Sequence, residues 1–222
     1  MQRAAFFDLD DTLHDRTASI GEFVISQARR LLAMRESDAS RFAERFIQLE
    51  EHGRVWKDQV YQTLGQEFPQ ARDACDSLLR DYLCSFPKAC RLRHGAADVL
   101  RNLRQNSFKL GIVTNGRSEM QLAVVRELKL KDLVDTVVIS ERVGLRKPDP
   151  RIFCHALIQV SVEARSAVFV GDDIHADISG ALSAGFRHAY WFDTATTAAI
   201  NLPPAVTRVG SFAQLAEKLY LF

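Results

Sequence analysis

Asp8 and Asp10 stand in the run Ala4-Ala5-Phe6-Phe7-Asp8-Leu9-Asp10-Asp11-Thr12-Leu13. Ala4 to Phe7 is an apolar stretch with strand character, and it delivers two carboxylates two residues apart where the strand should end. Side chains at i and i+2 of a strand share a face. The two acids therefore point into one space, which is unfavourable unless a cation or a proton offsets their charge. By itself, Asp-x-Asp is equally a solvated turn with Asp11 as a helix cap. Three further segments decide between the two, because each also ends in polar residues of chemical use. Leu110 to Val113 ends in Thr114-Asn115-Gly116, and Ala167 to Val170 ends in Gly171-Asp172-Asp173, with Asp177 one helical turn on. Between them, Gly144-Leu145-Arg146-Lys147-Pro148-Asp149-Pro150 puts a lysine just before a helix start. In open α/β sheets, ligands bind beyond the carboxyl ends of the strands.

In order and spacing, these four segments resemble the four motifs of the haloacid dehalogenase (HAD) superfamily, over most of the chain from Phe6 to Asp177 and beyond. The Lys-Pro-Asp-Pro-x-Ile-Phe run matches that pattern through Phe153. Phosphoryl transfer needs an in-line nucleophile, neutralisation of the phosphoryl oxygens and a proton donor for the leaving oxygen. Asp8 is the candidate nucleophile, forming an aspartyl-phosphate. Asp10 is the candidate general acid, which then activates water against that intermediate. The resemblance implies a Mg²⁺ ion held by Asp8, Asp172 and the backbone carbonyl of Asp10, since Mg²⁺ takes oxygen ligands. Asp173 and Asp177 are expected to orient ligands or waters, or to pair with Lys147. Thr114 resembles the hydroxyl that binds a phosphoryl oxygen, with the N–H groups of Asn115 and Gly116 as further donors. Lys147 supplies a compact positive charge for Asp8 and the phosphoryl group.

Position 10 discriminates within the superfamily. Its dehalogenases lack this aspartate and its phosphate-pump ATPases carry threonine there, so an acid implies a phosphatase or a phosphomutase. The sugar phosphomutases commonly show Glu-Asp in the fourth motif, whereas Gly171-Asp172-Asp173 resembles phosphatases, including those acting on nucleotides and riboflavin precursors. A phosphatase of a small phosphorylated metabolite is therefore expected, with phosphotransfer as the alternative. A phosphorelay receiver also uses acids, Mg²⁺, a threonine and a lysine at strand ends. Its acid pair follows the first strand and its phosphorylated aspartate a later one, however, and it needs no insert of dozens of residues after the first motif.

The elements that must position these residues follow from periodicity. Residues 1–13 and 93–222 alternate strand and helix, predicting an α/β, doubly wound parallel sheet of Rossmann-like form. Strands are expected at 110–114, 136–139, 167–170 and 188–192. Ser118 with Gln121 reads as a capping box for a helix to Leu128. Asp149-Pro150 opens a helix over 151–160. Residues 176–185 are expected to be helical with Gly185 as stop, and Ser211 to open a last helix through Leu221 after the Pro203-Pro204 connector.

Residues 14–92 are different. Ile20, Phe23, Val24, Ala28, Leu31 and Leu32 recur at helical spacing, as do Phe42, Phe46, Ile47 and Leu49, and Val55–Leu64 and Ala74–Leu83 continue the pattern. An all-helical insert here resembles the substrate-selecting cap of one HAD subclass. His52, Arg54, Trp56 and Lys57 form a polar cluster that reads either as a face toward substrate or as a solvated loop. His14 reads as a substrate contact or a hinge, and His175 as a neighbour of the fourth motif or an exposed residue.

Composition fits this class. The chain has 222 residues, 47% of them hydrophobic, enough for one domain with a small insert. A net charge of +1 gives no electrostatic reason to expect nucleic acid or an anionic membrane as partner. Phe6-Phe7 runs straight into acids, unlike a secretory leader. The four cysteines form no C-x-x-C pair and read as reduced thiols of a cytoplasmic protein, monomer or homodimer.

Overall fold

The structure is a computed structural model that describes residues 2–194 and 201–219. It divides into two compact units, one of residues 1–14 with 92–222 and one of residues 15–91, each boundary one residue from that read in the sequence. The chain opens with β1 (Ala4–Phe7), four apolar residues with no exposure at all. Burial on both faces is the condition of a central strand in a parallel sheet.

The second unit consists of α1 (Arg16–Leu32), α2 (Glu36–Glu50), α3 (Lys57–Glu67) and α4 (Cys75–Ala89). The apolar stripes of these helices meet in a core that includes Ile20, Phe23, Phe42, Phe46, Tyr61, Leu64, Tyr82 and Phe86. Tyr82 stacks on Phe86 at 5.0 Å, and Phe23 meets Phe86 edge-on at 5.6 Å. Leu31, counted with the stripe, is instead 40% exposed. This core also holds charge. Arg16 Nη1 donates to Glu50 Oε1 at 2.8 Å and Lys57 Nζ to Glu50 Oε2 at 2.7 Å, with all three side chains buried. Lys57 is thus a structural cation and not a loop residue, whereas His52 and Arg54 are exposed. Beside the ion cluster, Tyr61 Oη donates to Gln27 Oε1 at 2.7 Å, and Gln27 Nε2 donates to Leu78 O at 3.0 Å.

The first unit continues with α5 (Ala96–Gln105), β2 (Lys109–Thr114), α6 (Ser118–Glu127), β3 (Thr136–Ile139), α7 (Ser140–Val143), α8 (Pro150–Val160), β4 (Ala167–Gly171), a π-helical segment at Ile174–Ser179, α9 (Gly180–Ser183), β5 (His188–Phe192), β6 (Val206–Val209) and α10 (Phe212–Leu219). All six strands are parallel in the order β3-β2-β1-β4-β5-β6. Strand order reverses at β1, where such sheets open a crevice at their carboxyl ends. The register places Phe7 opposite Ile112 and Val170, so Asp8, Thr114 and Gly171 all lie at that end.

Local details depart from the expected elements. Ser118 is the first helical residue of α6 and not its cap; its N–H donates to Glu141 Oε2 at 2.7 Å, so a neighbouring element satisfies the helix terminus. Gln121 is thereby free of a capping role. β6 went unread because it is short, half-exposed and follows two prolines. The segment after Asp173 is π-helical for one turn before α9, with Gly185 in the left-handed region at φ +86° beyond it. α10 is described to Leu219, and its expected end at Leu221 lies outside the described residues.

Candidate active site

At the carboxyl end of β1, Asp8 is buried and its N–H donates to Val170 O at 2.8 Å, extending the ladder with β4 by one residue. Lys147, equally buried, bridges two acids: its Nζ lies 2.5 Å from Asp8 Oδ1 and 2.6 Å from Asp177 Oδ1. Asp177 sits on the π-helical turn, and its Oδ2 also accepts from Asp173 N at 3.2 Å. Asp173 does other work: its Oδ1 caps that turn, accepting from the N–H groups of His175 and Ala176 at 2.8 and 2.9 Å. His175 itself is exposed.

Carboxylate oxygens of Asp8, Asp172 and Asp177 all lie within 4.8 Å of one another. Burial raises the pKa of each, and it is the largest cause in all three. Asp177 and Asp172 push Asp8 up further, against the pull of Lys147. Asp172 is pushed up to about 7 by burial, Asp177 and Asp11. Lys147 loses by burial but is held above its ordinary value by Asp177 and Asp8. Fully ionised, three carboxylates against one ammonium would leave two negative charges, which a divalent cation bound through oxygen would offset. The donor set therefore fits Mg²⁺. Asp177, expected to orient ligands or to pair with Lys147, stands in the same cluster and meets that lysine.

Asp10 is engaged elsewhere. Its Oδ1 is 2.8 Å from His14 Nδ1, and its Oδ2 accepts from Gln121 Nε2 at 2.9 Å. The Thr114 hydroxyl is buried and has no hydrogen-bond partner among the described residues, an orphan of the kind a ligand satisfies. Asn115 serves a role the sequence did not disclose: its side chain accepts from Lys147 N and donates to Lys147 O, both at 3.0 Å, pinning the lysine backbone. Gly116 requires a correction. Its N–H, expected to reach a phosphoryl oxygen, instead donates to Ser140 Oγ at 3.0 Å. Two further residues went unread because only the fold brings them to Asp172. Thr12 Oγ1 donates to Asp172 Oδ1 at 3.3 Å, and Trp191 Nε1 donates to Asp172 O at 2.8 Å. An indole N–H at the end of β5 has no sequence signal beyond a tryptophan closing an apolar strand.

The family model for haloacid dehalogenase-like hydrolases matches residues 2–185. The chain belongs to that family. A relative named glyceraldehyde 3-phosphate phosphatase, from Pyrococcus abyssi, is 31% identical over 86% of this chain and 82% of its own length. The pyrimidine 5'-nucleotidase YjjG of Escherichia coli is 39% identical over a shorter stretch, 47% of this chain and 46% of that one. Among solved structures, a HAD phosphatase from Thermococcus onnurineus superposes with a TM-score of 0.67 at 25% identity, covering 98% of both chains. This HAD-like hydrolase is an enzyme of the phosphatase type, a phosphoric monoester hydrolase. No helix among its described residues is long and apolar enough to cross a membrane.

Proposed function

We propose that this hydrolase is a Mg²⁺-dependent phosphatase that cleaves a small phosphorylated metabolite through an aspartyl-phosphate on Asp8. The observation that carries this reading is the grouping of buried Asp8, Lys147 and Asp177 with half-buried Asp172 at the carboxyl end of the sheet. Asp8 and Asp172, with the backbone carbonyl of Asp10, would hold the cation. Asp177 is a poorer ligand because Lys147 and the Asp173 N–H already engage its two oxygens. When bound, the cation would neutralise charge on the phosphoryl oxygens and on the acids around Asp8.

The chain's own residues supply the rest. An Asp8 oxygen forms the new bond to phosphorus while the ester oxygen departs, taking a proton from Asp10. Asp10, now a carboxylate, takes a proton from water as that water attacks phosphorus, and Asp8 is released with phosphate. Lys147 holds Asp8 in place and opposes the upward push that burial exerts on its pKa. The orphaned Thr114 hydroxyl is suited to donate to a phosphoryl oxygen.

The relatives' names frame the substrate class: a triose phosphate for one and a nucleotide for the other. Sugar phosphates, nucleoside monophosphates and flavin-precursor phosphates are accordingly the classes to screen, with residues 15–91 as the segment that chooses among them. Asp8→Asn keeps shape and loses the attacking charge, so phosphate release should vanish while circular dichroism and melting temperature stay near wild type. A folded Asp8→Asn protein with near wild-type turnover would overturn the proposal.

A further inference from the structure

Asp10 meets a side-chain nitrogen on each of its carboxyl oxygens, His14 Nδ1 on one and the donating Gln121 Nε2 on the other. Gln121 arrives from α6, 111 residues away in sequence, and is 6% exposed; His14 is fully buried. The route by which Gln121 reaches Asp10 passes over Gly116. A Cβ built on Gly116 would stand 2.6 Å from Gln121 Nε2 and 2.9 Å from its Cγ, closer than real side chains come. His14 is pinned through its backbone, with its N–H donating to Leu9 O at 2.8 Å and bridges to Asp10 on one side and Leu92 on the other.

The terminal torsion of an aspartate is broad, so an unrestrained carboxyl samples many orientations. A proton donor must meet the leaving oxygen along a narrow line, and a displacement of about 1 Å can cost on the order of 10²-fold. Two nitrogen contacts, one on each oxygen, remove that freedom.

We infer that Gln121 and His14 are positioning residues that fix the Asp10 carboxyl for proton transfer, and that position 116 is glycine to admit Gln121. The inference rests on Asp10 as the acid–base residue of the proposed phosphatase.

The test uses leaving groups, with kcat and kcat/KM measured on p-nitrophenyl phosphate and on an alkyl phosphate. The ratio kcat/KM covers cleavage of the ester bond, for which nitrophenolate barely needs a proton and an alkoxide does. Gln121→Met, similar in length but without the donor, should lower kcat/KM for the alkyl ester by about ten- to a hundredfold. It should leave kcat/KM for the aryl ester nearly unchanged while lowering its kcat, because hydrolysis of the aspartyl-phosphate still needs Asp10. Gly116→Ala should show the same split and add little in a Gln121→Ala background, where the space is vacant. His14→Asn, which keeps a nitrogen donor near the Nδ1 position, should retain more alkyl activity than His14→Leu. Equal losses on both esters, or no loss on either, would overturn the inference. Asp10→Asn is measured alongside. A split in Asp10→Asn that is absent from Gln121→Met removes the positioning role alone, and no split in either removes the acid role as well. If Gln121→Met fails to fold, Gly116→Ala and the His14 pair decide the matter by the same ratios.

Discussion

Gly171 closes β4 where a side chain has no room: a Cβ there would collide with Asp177 Oδ2 and stand 2.5 Å from Asp177 Cβ. Neither contact is with a flexible side-chain end, because the carboxylate is tied to Lys147 and the Asp173 N–H. Gly171→Ala should therefore push Asp177 away and loosen the lysine that holds Asp8. The expected cost is about 1–3 kcal/mol of stability, as for other overpacked sites, and on the order of 10²-fold in kcat/KM. Thermal melting and steady-state kinetics on the same sample check both, and an Ala variant with unaltered turnover would show that Asp177 does not need that space. At this scale, residue types in the sequence disclosed which groups carry charge. They did not disclose that Gly116 and Gly171 are small to make room for Gln121 and Asp177, because clashes depend on distances between segments far apart in the chain.

The helical unit shows the same limit at the scale of elements. Its amphipathic stripes were legible in the spacing of Phe23, Phe42 and Phe46, all buried as expected. The Arg16–Glu50–Lys57 cluster was not, since charged residues are by default solvated and only packing brings these three together. Burial alone would raise the Glu50 pKa, but Arg16 and Lys57 outweigh it and hold it below the ordinary 4.5. A depressed carboxylate pKa contributes stability that is complete above the unfolded value and is lost as pH falls through the folded one. Glu50→Gln should then cost about 3–5 kcal/mol near neutral pH, because it leaves two buried cations without their anion. The difference between wild type and variant should shrink as pH drops below about 4.5. Urea unfolding followed across that range measures it; a constant difference would mean that the pair contributes no charge-dependent stability.

For the whole molecule, a cation bound to the proposed site among the acids at the sheet's carboxyl end would couple folding to cation binding. Anything that binds only the native state stabilises it, by about 2.7 kcal/mol at a ligand concentration of 100 Kd. For a chain of this size each kcal/mol raises the melting temperature by roughly 2–4 °C. Mg²⁺ should therefore raise the melting temperature by several degrees, EDTA should reverse the shift and abolish turnover, and Asp172→Ala should remove most of it. Full activity in chelator, or an undiminished shift in Asp172→Ala, would contradict the proposed donor set.

Sequence alone determined the strand–helix alternation, the helical insert and the places of Asp8, Asp10, Thr114 and Asp172 at or just past strand ends and of Lys147 just before a helix. These are local properties: periodicity, turn chemistry and residue type are read within a few positions. Tertiary structure decided which of them share a partner. Lys147 spans Asp8 and Asp177, Ser140 takes the Gly116 N–H, Trp191 holds the Asp172 carbonyl, and Gln121 leaves its expected helix-capping role for Asp10. Each of these contacts joins separate segments, and side-chain direction and packing set their distances. No spacing rule along the chain encodes them, which is why the charges of the site were legible and their pairing was not.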